Sequence, residues 1–247
     1  MSASLAGKTA LVTGAAKRIG RATALALARE RVHVVVHYRS SHDEAEATAD
    51  EIRSTGVDAW TLQADLGKAA EADALLPRAI DAAGPIDFLI NNASVFPSSR
   101  LTGFAPEDLA ANVQVHAMAP LQLARQLAAQ GGARAVVNLL DSRMLDYDAE
   151  HAAYHLSKRM LFTLTRMMAL EFAPAVRVNA VAPGAVLPPP GQDASYLERM
   201  AQGNPLHRVG SADAVADATL FLLRSDFITG QVIYVDGGQH MKGRVYG

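Results

Sequence analysis

Cysteine is absent from the chain, and with it go disulfides, thiolate metal sites and cysteine nucleophiles. Excess charge of one sign is also lacking. The formal net charge is −2 and the basic residues form no cluster, which argues against a nucleic-acid surface or an anionic membrane as the main partner. No uninterrupted apolar run approaches the length of a membrane span, and Met1 to Lys8 lacks the charged start and apolar stretch of a signal peptide. Repeats, low-complexity tracts and linkers are missing too. A cytoplasmic protein acting on small molecules is the expectation.

What is present is 247 residues, half of them apolar, enough for one α/β domain with a large core spanning 1–247. Thr9-Ala-Leu-Val-Thr13 reads as a buried strand that runs into Gly14-Ala-Ala-Lys17-Arg18-Ile19-Gly20, after which alanine and leucine recur at helical spacing to Arg29. Glycine suits a tight turn there, or a backbone that approaches a phosphate held at a helix N-terminus. Val32–Val36, Trp60–Asp65, Ile86–Ile90, Ala135–Leu140, Val176–Val181 and Gln231–Val235 are the further strands. Helices are expected over His42–Ser54, Lys68–Ala83, Pro106–Gln130, the stretch after Tyr154 and Ala212–Leu223. Strands alternating with helices imply a doubly wound, mostly parallel seven-stranded sheet of Rossmann type, with its ligand crevice at the carboxyl ends of the strands.

The second strand ends in His37-Tyr38-Arg39-Ser40, and no acid follows until Asp43. An acid at this point would bind a ribose 2′-hydroxyl and repel a 2′-phosphate; a guanidinium fork and a hydroxyl suit the phosphate instead. NADP(H) is therefore the expected cofactor. From Ala185 to Met200 the chain carries three successive prolines, then Tyr196, Leu197 and Met200. Such a stretch suits a substrate lid over about 185–203 or a plain surface loop.

The chain is organised around Asp141 to Lys158, which follows the fifth strand. Tyr154 and Lys158 stand at i and i+4, so on a helix they share a face. A neighbouring ammonium favours the phenolate and would lower the tyrosine pKa, making the phenol a usable proton donor; a solvated pair is the alternative. His151 and His155 share this spacing, but no third ligand is placed by the sequence and no metal is expected.

Together Thr13-Gly14-x-x-x-x-x-Gly20, Asn91-Asn92-Ala93, Tyr154-x-x-x-Lys158, Pro183-Gly184 and Asp236-Gly237-Gly238 resemble the short-chain dehydrogenase/reductase family in order and spacing. The resemblance implies a nicotinamide-dependent oxidoreductase with Tyr154 as proton donor and Lys158 on the nicotinamide ribose. It also implies cofactor contacts from Gly14, Lys17, Arg18, Ile19 and Gly20, from Tyr38, Arg39 and Ser40, and from Asp65 and Leu66. Asn92, Ala93, Ser94, Pro183 and Gly184 complete that set. A homotetramer paired through the Pro106–Gln130 and His151–Phe172 helices is implied as well, with a tail from His240 to Gly247 that reaches a neighbour's cleft.

Four positions depart from the family pattern. Arg18 replaces the middle glycine of the turn, Ser94 the glycine after Asn-Asn-Ala, Asp141 the serine thirteen residues before the tyrosine, and His116 an asparagine of the long helix. The first three resemble the pteridine reductase branch, which includes dihydromonapterin reductases. That likeness implies a substrate site of Arg18, Ser94, Phe96, Asp141 and Tyr154, with Asp141 joining Tyr154 and Lys158 in catalysis. The chemistry is consistent with it. Negative charge on a reacting ketone oxygen would be opposed by an ionised carboxylate, whereas a carboxylate matches the N–H groups of an aminopyrimidine-like ring or, protonated, supplies a ring nitrogen with its proton. The expected activity is NADPH-dependent reduction of a dihydropterin or dihydrofolate-like ring. A carbonyl reductase using Ser142, Tyr154 and Lys158 is the alternative, and a non-catalytic NADP(H)-binding regulator would make Tyr154 and Lys158 superfluous.

Overall fold

The computed structural model describes residues 4–146, 149–188 and 193–242. Seven parallel strands form one sheet: β1 Thr9–Val12, β2 His33–Tyr38, β3 Ala59–Gln63, β4 Phe88–Asn91, β5 Ala135–Leu139, β6 Arg177–Pro183 and β7 Val232–Val235. Their spatial order is β3-β2-β1-β4-β5-β6-β7. The order reverses between β1 and β4, the switch point at which open α/β sheets bind ligands.

Side chains alternate across each strand and so feed two cores. Val12, Val34 and Val36 point to a layer made by α1 (Arg18–Arg29), α2 (His42–Ser54) and α8 (Ala212–Arg224), where Leu27, Ile52 and Leu220 are buried. Leu11, Val35 and Leu89 point to the opposite layer, made by α3 (Ala69–Ala83), α5 (Ala119–Ala129) and α6 (Ala152–Glu171), where Leu75, Leu123 and Met168 are buried. Burial on both faces explains why the strands read as continuous apolar runs rather than alternating ones.

One expected helix has an internal irregularity. Instead of a uniform helix over 106–130, α4 (Pro106–Val113) passes through a π-type turn at Gln114–Met118 into α5. Inserted turns of this kind are frequent at functional sites, and this one carries His116. The short helix α7 (Ala194–Ala201) follows the proline stretch, in which residues 189–192 lie outside the described ones. Among the described residues no helix is long and apolar enough to cross a membrane.

Candidate active site

The carboxyl ends of β1, β2 and β4 are tied together by a small polar network. The Thr13 hydroxyl oxygen accepts the Asn92 and Ala93 amides at 2.9 and 3.0 Å, and the Asn92 side-chain amide donates to the carbonyls of Thr13 and Gly14 at 2.8 and 3.0 Å. Gly14 adopts a φ of +64°. Its N–H donates to His37 Nδ1 at 3.0 Å, while His37 Nε2 faces the Ala64 carbonyl at 3.1 Å. These partners require a neutral ring with its proton on Nε2, and burial lowers the His37 pKa to about 4. The motifs do not mark this histidine as part of the site; its only sequence signal is a polar residue at the end of a buried strand. Gly20 is demanded by space, since a Cβ there would lie 2.2 Å from the Gly14 carbonyl oxygen and 2.5 Å from Asn92 Nδ2.

Beside this network opens a cleft of about 410 Å³. Gly14, Lys17, Arg18, Ile19 and Gly20 line one wall; Tyr38, Arg39 and Ser40 line its far end. Asp65 and Leu66 close the side beyond His37, and Asn92, Ala93 and Ser94 form the opposite wall. The shape and donors fit an extended dinucleotide. The turn leads into the N-terminus of α1, which favours a pyrophosphate, and Arg39 makes no hydrogen bond or ion pair through its guanidinium among the described residues. Tyr38 donates to or accepts from His42 Nδ1 at 2.9 Å, and the Asp65 carboxylate takes the Gly67 amide at 3.0 Å.

Arg18 shows why glycine is usual at its position. Its φ is +59°, in the left-handed region that costs a side-chain-bearing residue about 1 kcal/mol. Strain of this kind persists where the surroundings impose it, often at ligand sites. The guanidinium reaches across the cleft mouth to the Pro188 carbonyl at 2.9 Å.

Asp141 and Tyr154, which are not among the residues lining that cleft, meet each other. The phenol donates to Asp141 Oδ2 at 2.8 Å, and the Arg143 amide holds Oδ1 at 2.7 Å. Ser142, the next residue, has a buried hydroxyl with no hydrogen-bond partner among the described residues, while its amide donates to the Pro183 carbonyl at 2.9 Å. The two side chains therefore have opposite fates at the strand end: one engages the tyrosine and the other does not. Lys158 is buried and donates to the Leu139 carbonyl at 2.7 Å, its Nζ 5.7 Å from the Tyr154 ring centre. Burial lowers its pKa to about 8.

This geometry corrects the expected effect of the lysine on the phenol. Tyr154 is pushed well above the ordinary tyrosine range, first by burial and then by the charge and hydrogen bond of Asp141. The i, i+4 spacing places the ammonium near the ring, but it says nothing of how deeply the phenol is buried or which group receives its proton. Tyr154 is thus held as a neutral donor aimed at a carboxylate.

Phe96 is exposed, its ring stacked on His151 at 3.8 Å and edge-on to Tyr154 at 4.6 Å. His116 is edge-on to the other side of Tyr154, with ring centres 5.3 Å apart. Pro183 and Gly184 do not line the cleft. Gly184 packs against Asp236, where a Cβ would be 2.8 Å from that side chain, and its amide donates to the Val235 carbonyl at 2.9 Å.

Residues 14–240 match the adh_short_C2 family model, described as enoyl-(acyl carrier protein) reductase. The chain belongs to the short-chain dehydrogenase/reductase family. As an oxidoreductase of that family it is similar to the 3-oxoacyl-[acyl-carrier-protein] reductase FabG of Staphylococcus epidermidis, at 31% identity over 95% of this chain and 99% of the relative. Among short-chain reductases of known structure, FolM alternative dihydrofolate reductase 1 from Brucella canis, complexed with NADP, superposes with a TM-score of 0.91 at 34% identity, covering 99% of this chain and 97% of that one. The promiscuous reductase LugOII, which catalyses keto-reduction in lugdunomycin biosynthesis, superposes with a TM-score of 0.85 at 33% identity, covering 96% of this chain and 100% of that one.

Proposed function

We propose that this short-chain reductase reduces a C=N bond in a dihydropterin or dihydrofolate-type ring, with NADPH as reductant. The observation that carries the proposal is the 2.8 Å bond from the Tyr154 hydroxyl to Asp141, at a position where the family pattern has a serine and where an ionised carboxylate would oppose the charge that develops on a reacting ketone oxygen. Likeness to FolM at 34% identity supports it. Likeness to FabG and LugOII supports the second reading, a carbonyl reductase, but that reading needs the Ser142 hydroxyl at Tyr154, and the hydroxyl is not bonded there.

NADP(H) is the cofactor, and when bound it supplies a hydride to the ring carbon. The glycine turn from Gly14 to Gly20 and the start of α1 hold the pyrophosphate. Arg39 and Ser40 take the 2′-phosphate, with Tyr38 beside them; Asp65 and Leu66 border the adenine. Lys158 holds the nicotinamide ribose, and Asn92 and Ala93 shape the wall. Phe96 offers its ring face to a flat substrate, with Arg18 and Ser94 at the ring edge. Tyr154 and Asp141 deliver the proton to the ring nitrogen, the phenol being the donor at its hydroxyl and the carboxylate orienting it. Arg18 holds Pro188 at the start of the 185–203 stretch, which closes over the substrate; residues 189–192 of that lid, and 243–247 of the tail that would reach a neighbour, lie outside the described residues. Steady-state NADPH oxidation screened against dihydrobiopterin, dihydromonapterin, dihydrofolate and simple ketones tests the proposal. Turnover of a dihydropterin ring and poor turnover of ketones is the expected result.

Arg18→Gly separates strain from function. Relieving the positive φ leaves thermal stability unchanged or raises it by up to about 1 kcal/mol, while KM for the pterin rises; a large loss of stability would contradict this reading. Lys158 sets a limit on the alkaline side. Its charge is present below about pH 8 and lost above it, so kcat/KM for NADPH, which reports the free enzyme, is flat below that pH and falls about tenfold per unit above it. A profile that stays level to pH 10 would remove the ribose role. Finally, Leu156, Met160 and Met167 are exposed on α6, and Met118 is exposed at the end of the π-type turn. These apolar side chains would be covered in a homotetramer, so sedimentation velocity at micromolar concentration is expected to show a species about four times the chain mass, and a monomer would contradict it.

A further inference from the structure

Two of the departures from the family pattern, Ser94 and His116, are in contact. His116 Nε2 lies 3.0 Å from the Ser94 hydroxyl and accepts the Val95 amide at 3.1 Å. On the other edge of the ring, Nδ1 lies 2.8 Å from the Ser157 hydroxyl, which itself donates to the Tyr154 carbonyl at 2.7 Å. Each proton in this chain has one consistent place. Ser157 spends its hydrogen on Tyr154, so it accepts from His116 Nδ1–H. The Val95 N–H points at Nε2, so Nε2 carries no proton and acts as the acceptor. With no proton on Nε2, the 3.0 Å contact is a hydrogen bond only when the Ser94 hydroxyl donates inward, sharing the single Nε2 lone pair with the Val95 N–H, and its own lone pairs then face the cleft, where the residue is exposed. The histidine is buried, and burial together with Lys158 lowers its pKa to about 2, so this arrangement persists across the working pH range.

We infer that His116 is a positioning residue that pins the Ser94 proton inward and makes Ser94 a fixed hydrogen-bond acceptor, which selects substrate rings that present an N–H donor, such as an exocyclic amine, at that edge of the site. The inference rests on the pterin reading and deepens it, by assigning a polarity to one recognition point and a residue that enforces it. A serine free to rotate would accept a carbonyl or an amine equally. A serine held by His116 rejects the carbonyl, because two acceptors would face each other without a proton.

Binding rather than turnover tests this. The ligands are a fully oxidised pterin and the same ring with a carbonyl in place of its exocyclic amine, titrated into NADP⁺-loaded enzyme by calorimetry. The parent enzyme is expected to prefer the amine. Ser94→Ala should lower that preference about tenfold, and His116→Asn about threefold or more, the scale of one neutral hydrogen bond. In the double variant the preference should fall no further than in Ser94→Ala, since both changes act on one bond. Losses that multiply, or a Ser94→Ala enzyme with unchanged preference, would overturn the inference, and the Ser94→Ala arm decides alone if His116→Asn does not fold. A histidine with a merely structural role would weaken both ligands equally. If the parent turns over ketones and not dihydropterins yet still prefers the amine ring, the substrate reading fails while this inference stands; a parent with no preference ends the inference whatever it reduces.

Discussion

Asp141→Ala lowers kcat for dihydropterin reduction by about a hundredfold or more, the scale of a positioned proton-transfer group, while Ser142→Ala leaves it nearly unchanged. The reason is visible at the end of β5. Asp141 accepts the hydrogen bond of the Tyr154 hydroxyl at 2.8 Å and is itself oriented by the Arg143 amide at 2.7 Å. Removing the carboxylate leaves a buried phenol with no partner to aim it. Ser142, by contrast, already lacks a hydrogen-bond partner for its buried hydroxyl among the described residues, so alanine there removes an unsatisfied group and is neutral or slightly stabilising. Asp141→Ser gives this position the serine of the family pattern, and should abolish pterin reduction while gaining weak ketone reduction. Steady-state kinetics of the three variants, with thermal unfolding as a control for folding, check this directly. A crippled Ser142→Ala enzyme beside an intact Asp141→Ala enzyme would transfer the assignment to the carbonyl reductase reading.

Arg39→Asp inverts the cofactor preference. The parent is expected to favour NADPH because the guanidinium at the end of β2 lines the cleft with no ion pair of its own among the described residues and with Ser40 beside it. Charge-assisted hydrogen bonds to a phosphate are each worth about tenfold or more. An aspartate both removes them and repels the 2′-phosphate, while offering the 2′-hydroxyl of NADH an acceptor. The ratio of kcat/KM for NADPH over NADH should fall by about a hundredfold or more. Equal kinetics with both cofactors in the parent would contradict the role given to Arg39.

Much of the sheet was legible in the chain because its signals are local. Runs such as Val34-Val35-Val36 and Val136-Val137 are β-branched and buried on both faces, and the turn after Thr13 needs glycines at Gly14 and Gly20 whatever lies elsewhere. The pairing of Asp141 with Tyr154 was also within reach, through the resemblance to the pteridine reductase branch and the family's interval of thirteen residues before the tyrosine. What escaped was set by tertiary packing. The direction of the Tyr154 shift depends on burial under Phe96 and His116, which come from distant segments. His37 looks like an ordinary polar residue in an apolar run, and His116 is marked only as a departure from the family pattern, until their partners, Gly14 and Ala64 for one, Ser94 and Ser157 for the other, are brought beside them by the fold. The π-type turn that carries His116 has no signature in apolar spacing, which continues evenly across it.

The central claim is hydride delivery to a carbon of a C=N bond, with the proton going to nitrogen. The measurement that tests it most directly follows the label from NADPH deuterated at the reactive position of the nicotinamide into dihydropterin, read by mass spectrometry and NMR of the product. The account predicts one deuterium on a ring carbon adjacent to nitrogen, at a rate that Asp141→Ala depresses about a hundredfold. Unlabelled dihydropterin, together with deuterium on the carbinol carbon of an added ketone, would contradict it.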